Sequence, residues 1–439
     1  MSETTSDLAP RVANDPNSPA FLKAVTQLGQ IQPVVTSAAI FNQQGIKLLE
    51  GGVQIDASLY ERLITHRLSV PLDECMGCDP PLTGAMLREA CEATLARRPF
   101  FALLGPKGRV RDKLLQAIEA IPLPRPVAFH LTLARETRPA LFEHGIMMAL
   151  LCAHLVRESG GLIHDMTTAA SAGLLHDLGM LHIDADSLDA GNRLSGDARR
   201  PLYVHPMTTS MLVARFHQYP KPVARAILEH HELLDGSGYP RGLAGDAISP
   251  LGRLLSLCEV VTAMFDGDRQ HPEQRVSLLL RVSPRRFDAT LVPAIHRLLR
   301  AMPATEEEVD LTVAESVRRL RVLADLLGRW PAAASASAPS LDAAGQAVLK
   351  AIADQAETMQ RMLFEAGITP EQLDWLMQGD DSDAPFRAEL WALSGELHWH
   401  LRSSANQLRR RWRASAGAQP FPPAVATWLD EVEALDAPA

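Results

Sequence analysis

A histidine doublet, His230-His231, runs directly into Glu232-Leu233-Leu234-Asp235-Gly236-Ser237-Gly238-Tyr239-Pro240. Upstream, the pair His176-Asp177 closes an apolar stretch and is followed by Leu178-Gly179. His144, His205 and Glu259 stand in the same apolar part of the chain. Imidazoles mixed with carboxylates form a donor set that cations such as iron or manganese accept. A cation cluster facing a Gly-rich loop points to hydrolysis of a phosphate ester, because such ions acidify water and neutralise charge on phosphoryl oxygens. That chemistry needs no nucleophilic side chain. A lone histidine here would more often be a packed core residue; the joint occurrence carries the metal interpretation.

Rigid sites need their ligands on regular elements. Apolar periodicity predicts helices over 142–156, 167–179, 203–216 and 221–231, then over 251–265, 272–280 and 287–302. Adjacent helical residues point about 100° apart, so His176 and Asp177 can reach one cluster from different angles. Gly236 and Gly238 break the helix that ends in the doublet and permit tight turns beside a ligand. Residues 1–18 are polar and aperiodic and read as a disordered lead. Residues 19–125 read as a small α+β accessory module: Val34 to Ile40 and Ile46 to Leu49 as strands about a turn, with helices over 56–67, 84–99 and 108–121. Pro122 to Pro126 reads as a rigid linker, residues 127–330 as the chemical domain, and the Ala- and Ser-rich 331–340 as a flexible linker. A C-terminal helical region, 341–439, shows patterns at 343–364, 370–377 and 385–414. The expected fold class is mainly α, an all-helical metal-binding domain with a small N-terminal α+β module.

The 439 residues leave room for two or three domains of roughly 150 residues each. Aromatic content is 5% against 46% hydrophobic, so aliphatic side chains and Ala must fill the cores, which favours helices. A net charge of -9 without a long single-sign run argues against nucleic acid as a partner, yet leaves room for a small anion in a locally positive pocket. Five cysteines make no disulfide framework in a chain this long, and Cys75-Met-Gly-Cys78 has no second CxxC pair to complete a zinc site. The N-terminus lacks a basic segment followed by an apolar one. The apolar run Gly145 to Val156 is short of the ~20 residues needed to span a bilayer. A cytoplasmic protein without a membrane span is expected. Arg409 to Arg413 reads as the solvated end of an amphipathic helix. His398 and His400, two residues apart, do not face together and are not expected to be ligands.

From about 140 to 305 the chain resembles the HD-GYP family, a branch of the HD phosphohydrolase superfamily. The resemblance is carried by His144 in a helix, His176-Asp177-Leu178-Gly179, His205-Pro206, the run from His230 to Leu243, and Arg286-Phe287-Asp288-Ala289-Thr290-Leu291-Val292. It implies an all-helical phosphodiesterase of cyclic di-GMP in bacterial second-messenger signalling, with two divalent ions, iron or manganese. It further implies His144, His176, Asp177 and Glu259 around one ion and His205, His230 and His231 around the other. Asp177 would bridge them, which puts His176 and Asp177 at the centre of catalysis. Arg241 and Arg253 are candidate phosphate contacts. Gly238 and Tyr239 are candidates for shaping the substrate side of the pocket. A diguanylate cyclase (GGDEF) partner and a homodimer also accord with the resemblance.

The chain departs from the family pattern at several positions. Met180 stands where a Lys is usual, and Met offers no charged donor. Glu259 and Thr262 stand where the family has two Asp residues. Ala140 stands where members with three metals carry a Glu. These departures favour two metals over three. They also sustain an alternative, a degenerate non-catalytic module that binds metal, nucleotide or a partner protein.

Overall fold

The structure of the protein, a computed structural model, describes residues 18–55, 59, 63, 65–183, 200–266, 271–282, 285–303, 312–365, 384–416 and 419–435. Helix α1 (Pro19–Ile31) leads into short strands β1 (Val34–Thr36), β2 (Ile40–Phe41), β3 (Lys47–Leu49) and β4 (Met76–Cys78). Helices α2 (Gly84–Arg97), α3 (Pro99–Ala102), α4 (Arg109–Glu119), α5 (Arg125–Thr137), α6 (Pro139–Glu158) and α7 (Ile163–Leu175) follow, closed by a 3₁₀ turn at Leu178–His182. Then come α8 (Arg200–Ala214), α9 (Lys221–Glu229), α10 (Pro250–Met264), α11 (Pro272–Val282) and α12 (Val292–Ala301), and finally α13 (Val313–Ser337), α14 (Ala343–Glu365), α15 (Ala384–Ala416) and α16 (Pro423–Glu433). The chain is mainly helical, with a small strand module near its N-terminus. It divides into two compact units, residues 1–266 with 285–302, and residues 267–284 with 303–439.

In the first unit the segment Val34 to Ile40 is not one strand. β1 pairs antiparallel with the distant β4, Val34 opposite Cys78, whereas β2 pairs with β3 across the Asn42 turn. Asn42 makes that turn itself: its Oδ1 accepts from the N–H groups of Gln44 (3.1 Å) and Ile46 (2.8 Å). All five cysteines are free and buried. The residues expected to form a helix over 56–67 lie mostly outside the described ones. Pro122 to Pro126 is more than a linker, since Arg125 and Pro126 open α5, with proline in the first helical turn where its missing N–H costs nothing. The α5 stretch from Val127 to Ala134 is buried throughout, which joins the N-terminal module to the helices that follow within one unit.

The centre of this unit is α6, buried without interruption from His144 to Leu155. It is 20 residues long, longer than its apolar run implied, and is long and apolar enough to cross a membrane by length and composition alone. However, 67% of its most apolar window is buried inside the protein. It crosses α7 at backbone distance. A Cβ on Gly145 would sit 2.9 Å from Leu174 O, and one on Gly173 2.9 Å from Met148 O. Only glycine fits there, and the close crossing is what brings His144 and His176 together.

In the second unit the Ala-rich stretch read as a linker is helix. α13 runs through Pro331 to Ser337 and ends in a 3₁₀ turn at Ala338–Ser340. Low complexity misleads here because its main residue is the strongest helix former. Trp330 is fully buried and packs on Trp428 with ring centroids 4.6 Å apart. The unit's core joins Leu320 and Leu327 of α13, Ile352 of α14, Leu401 and Leu408 of α15 and Val425 of α16. The basic run at 409–413 is not wholly solvated: Trp412 is buried and donates to Gln419 O (2.9 Å), and Arg409 pairs with Glu433. The helical pattern at 370–377 lies outside the described residues.

Candidate metal centre

The seven side chains arrive from five helices. His144 lies near the start of α6, His176 is the C-cap of α7 with Asp177 next, His205 sits in α8, His230 is the C-cap of α9 with His231 next, and Glu259 lies in α10. Their ligand atoms gather in two groups. One holds His144, His176 and Glu259; the other holds Asp177, His205, His230 and His231, and within each group the atoms lie within 4.8 Å of one another. Glu259 Oε2 is 3.0 Å from His144 Nε2 and 3.2 Å from His176 Nε2. Asp177 joins the groups, with Oδ2 3.5 Å from His176 Nε2 and Oδ1 3.0 Å from His205 Nε2 and 3.5 Å from His230 Nε2.

Helix ends set the orientation of two rings, and a proline that of a third. The last carbonyls of a helix lack intrahelical partners. His176 Nδ1–H donates to Gly173 O (2.7 Å) and His230 Nδ1–H to Ile227 O (2.6 Å), each three residues back. His205 is inside a helix, where that carbonyl would normally be taken. Pro206 supplies the opening: it has no N–H to give to Leu202 O, and His205 Nδ1–H donates there instead. Each ring therefore has its proton on Nδ1 and a lone pair on Nε2, the arrangement that suits a metal ligand.

Lone pairs aimed inward test whether cations fit. The Nε2 atoms of His205 and His230 face each other at 3.2 Å with neither able to donate. His176 Nε2 and Asp177 Oδ1 are buried with no hydrogen-bond donor among the described residues. Buried acceptors converging without donors are costly unless a cation joins them. The donor set of imidazole nitrogens and carboxylate oxygens suits a divalent transition metal. The two carboxyls supply negative charge for such ions. Burial opposes ionisation of Asp177 and Glu259, but the surrounding imidazoles overcome it and hold both carboxyls well below their usual range. Burial pushes the His231 imidazole well down, with His230 adding to it. Burial also works against His144 protonation, but Glu259 reverses it, with Asp266 assisting, and lifts that ring to about 9.

Two glycines are required by space. A Cβ on Gly179 would lie 2.6 Å from His205 O and 2.7 Å from Thr209 Oγ1, and Gly179 N–H donates to that same Oγ1 (2.8 Å). The turn after Asp177 is thus seated directly on the helix that carries His205. A Cβ on Gly238 would lie 2.4 Å from Glu232 Cα and His231 O. Gly238 needs no unusual backbone angle; it lets the loop fold flat against the doublet, after which Tyr239 N–H donates to His231 O (3.0 Å). The Tyr239 ring stacks on His231 with centroids 4.5 Å apart and meets Tyr203 edge-on at 4.8 Å.

Sequence reasoning missed the carboxylates on either side of the doublet. Glu232 is fully buried and accepts from the N–H groups of Arg241 (2.7 Å) and Leu243 (2.8 Å), which fixes the loop's return. Glu229, also fully buried, accepts from Ser249 N–H and O–H and so ties α9 to the N-cap of α10. A usable signal was present, an acidic residue directly adjoining each end of the His-His doublet. The two candidate arginines are engaged elsewhere. Arg241 pairs with Glu229 at 3.1 Å, while Arg253 pairs with Asp246 at 2.8 Å and donates to Ile248 O at 3.0 Å. Met180 has no side-chain donor; its backbone carbonyl accepts from Arg138 (2.7 Å) and its N–H donates to Asp177 O (2.9 Å). Thr262 is fully buried with its hydroxyl unpartnered.

Residues 131–291 match the family described as HD domain. The chain is 29% identical over 180 residues to a 3'3'-cGAMP-specific phosphodiesterase 1 of Vibrio cholerae serotype O1, covering 40% of each chain. It is 30% identical over 178 residues to the cyclic di-GMP phosphodiesterase response regulator RpfG of Xanthomonas campestris, covering 38% of this chain and 47% of that one. The chain thus spans less than half the length of these curated relatives. A solved HDGYP protein from Bdellovibrio bacteriovorus, Bd1817, aligns at 15% identity over 62% of this chain and 94% of its own, with a TM-score of 0.34 that bears no structural argument.

Proposed function

We propose that this HD domain is a metal-dependent phosphodiesterase of the HD-GYP type that hydrolyses a cyclic dinucleotide, cyclic di-GMP, in bacterial second-messenger signalling. The observation that carries the proposal is the pair of Nε2 atoms of His205 and His230, 3.2 Å apart with both rings' protons committed to backbone carbonyls. His144, His176 and Glu259 would hold one divalent ion and His205, His230 and His231 a second, with Asp177 between them; iron or manganese suits these donors. Bound there, the ions would supply an acidified water and charge neutralisation at phosphorus. The chain's own residues do the rest. Asp177 and Glu259 balance positive charge at the centre. Gly238 lets the loop lie close to the doublet, and Tyr239, braced on His231, presents an aromatic face suited to stacking a base. Arg241, whose side chain is 46% exposed, is the guanidinium placed to exchange its ion pair for a substrate phosphate.

The test is anaerobic purification, metal counting by elemental analysis, and assay of cyclic di-GMP cleavage with Fe(II) or Mn(II). Cleavage that vanishes in His205→Ala supports the proposal. Full metal loading without hydrolysis of any cyclic dinucleotide refutes it and selects the degenerate signalling module, the reading that Met180 favours because a thioether cannot replace a cationic donor.

A further inference from the structure

The second unit contains a cavity of about 360 Å³ between α13, α15 and the end of α16. That volume falls within the range of small-molecule sites, ~300–1,000 Å³. One wall is cationic: Arg318 and Arg319 project from α13. The opposite wall, on α15, supplies Ser394 and His398. Val322, Leu323 and Leu435 make the remainder apolar. None of the described residues that line it is acidic.

Two buried polar atoms at this cavity have no hydrogen-bond partner among the described residues. His398 is 7% exposed and its Nε2 makes no hydrogen bond; Nη1 of Arg319 is likewise buried and unsatisfied. A buried polar group without a partner is destabilising, the more so if charged, so two on the walls of one cavity mark a place where a ligand would complete the protein. Burial, with Arg402 and Arg319 nearby, pushes the His398 imidazole down. The guanidiniums therefore carry the positive charge, and the imidazole adds a neutral hydrogen-bonding edge. Sequence spacing set His398 aside because it cannot face together with His400. It needs no such partner, because the groups it meets come from α13.

We propose that this cavity is a binding site for a small organic carboxylate, its charged head held by Arg319 and Arg318 with His398, and its short apolar body lying on Val322, Leu323 and Leu435. The assignment is independent of the metal centre and of the reaction proposed there. Inorganic anions satisfy only the cationic wall and neutral alcohols only the apolar one, so neither matches the lining.

Isothermal titration of the full chain with hexanoate tests this, with hexan-1-ol and inorganic phosphate as probes of each wall alone. Saturable 1:1 binding of hexanoate, at least tenfold tighter than either control, is expected. Arg319→Gln should weaken hexanoate binding tenfold or more. Val322→Trp, a change at a half-exposed rim position that leaves every charge in place, should abolish it by filling the cavity while the chain keeps its melting temperature. Three outcomes overturn the proposal: no saturable heat with hexanoate up to about 10 mM, hexan-1-ol or phosphate binding as well as hexanoate, or undiminished hexanoate affinity in Val322→Trp. If Arg319→Gln does not fold, the Val322→Trp result decides alone.

Discussion

The seating of Gly179 on α8 can be tested with one methyl group. In Gly179→Ala the added Cβ would lie 2.6 Å from His205 O and 2.7 Å from Thr209 Oγ1, whereas ordinary contact begins at 3.4 Å. Both neighbours belong to one helix, and one of them is backbone, so the strain cannot be relieved by a side-chain rotation alone. The turn after Asp177 must lift by about 0.8 Å. Overpacking of this kind costs about 1–3 kcal/mol, and loss of the Gly179–Thr209 hydrogen bond adds about 1 kcal/mol. Because φ at Gly179 is not in the left-handed region, the whole effect is one of space. At roughly 2–4 °C per kcal/mol for a unit of this size, the melting temperature should fall by roughly 4–16 °C. The same lift moves Asp177 away from His205, now 3.0 Å distant, by more than the ~0.5 Å that functional sites tolerate, so metal content and phosphodiesterase activity should drop together. Gly328→Ala provides the control of opposite sign. Gly328 is exposed inside α13 with nothing closer than 3.8 Å to an added Cβ, and Ala there should stabilise by about 0.5–1 kcal/mol. Thermal melts of the two variants, with elemental analysis of each, check the reasoning. A Gly179→Ala protein with wild-type melting temperature and full metal content would refute it.

Pro206→Ala should separate helix stability from metal affinity. The restored N–H competes for Leu202 O and releases His205 Nδ1, so the melt should hold or rise while affinity in a chelator competition falls about 10–100-fold, the usual effect of losing an outer hydrogen bond to a metal-ligating His. Glu232→Ala leaves the Arg241 and Leu243 N–H groups buried without acceptors; a loss of about 2–6 kcal/mol should show in denaturant unfolding, with cyclic di-GMP hydrolysis abolished. His182 supplies a pH effect. Burial, with His130 nearby, holds its folded-state pKa down to about 3, against an unfolded value of about 6.5. Below pH 6.5 the unfolded chain takes up the proton first, so stability is complete above that pH and declines toward pH 3, by about 2 kcal/mol at pH 5. His182→Phe, which keeps the stack on Phe21 (4.7 Å between ring centroids), should flatten this limb of the melting-temperature profile; an unchanged slope would count against it.

The chemistry of the site was legible in the sequence because its residue types are rare in apolar helices. Histidines and carboxylates stand out against the buried run of α6 and the stretch from Ala169 to Leu175 in α7, and helical periodicity places them on rigid elements. What orients them was not legible, because it depends on backbone groups that a residue string does not display. The acceptor of His205 Nδ1 is a carbonyl freed by the following proline, and the seat of Asp177 is a glycine whose neighbour lies 30 residues away. The strands failed for a related reason: β1 pairs with β4 across more than forty residues, whereas local alternation reports only a neighbour in sequence. No helix is read over α13 from the sequence, and its C-terminal end reads as a linker because composition is weighed as complexity when the physical property of Ala is helix propensity.

The substitution at 259 shows how far a family pattern constrains geometry. A Glu in place of an Asp places the carboxylate about one methylene further from its helix, enough to spoil a site if everything else stayed fixed. Here Oε2 of Glu259 comes within 3.2 Å of two separate imidazoles, and α10 is anchored at its N-cap through Ser249 to the buried Glu229. A Cβ on Gly252, in the first turn of α10, would meet Glu229 Oε2 at 2.6 Å, so the helix cannot shift toward α9 without displacing that carboxylate. The longer side chain is thus matched to the seat of the helix that carries it. Glu259→Asp should therefore lower metal retention in this protein even though it restores the family residue. Elemental analysis after dialysis against a weak chelator measures this, and greater retention by the Asp variant would show that the match is illusory.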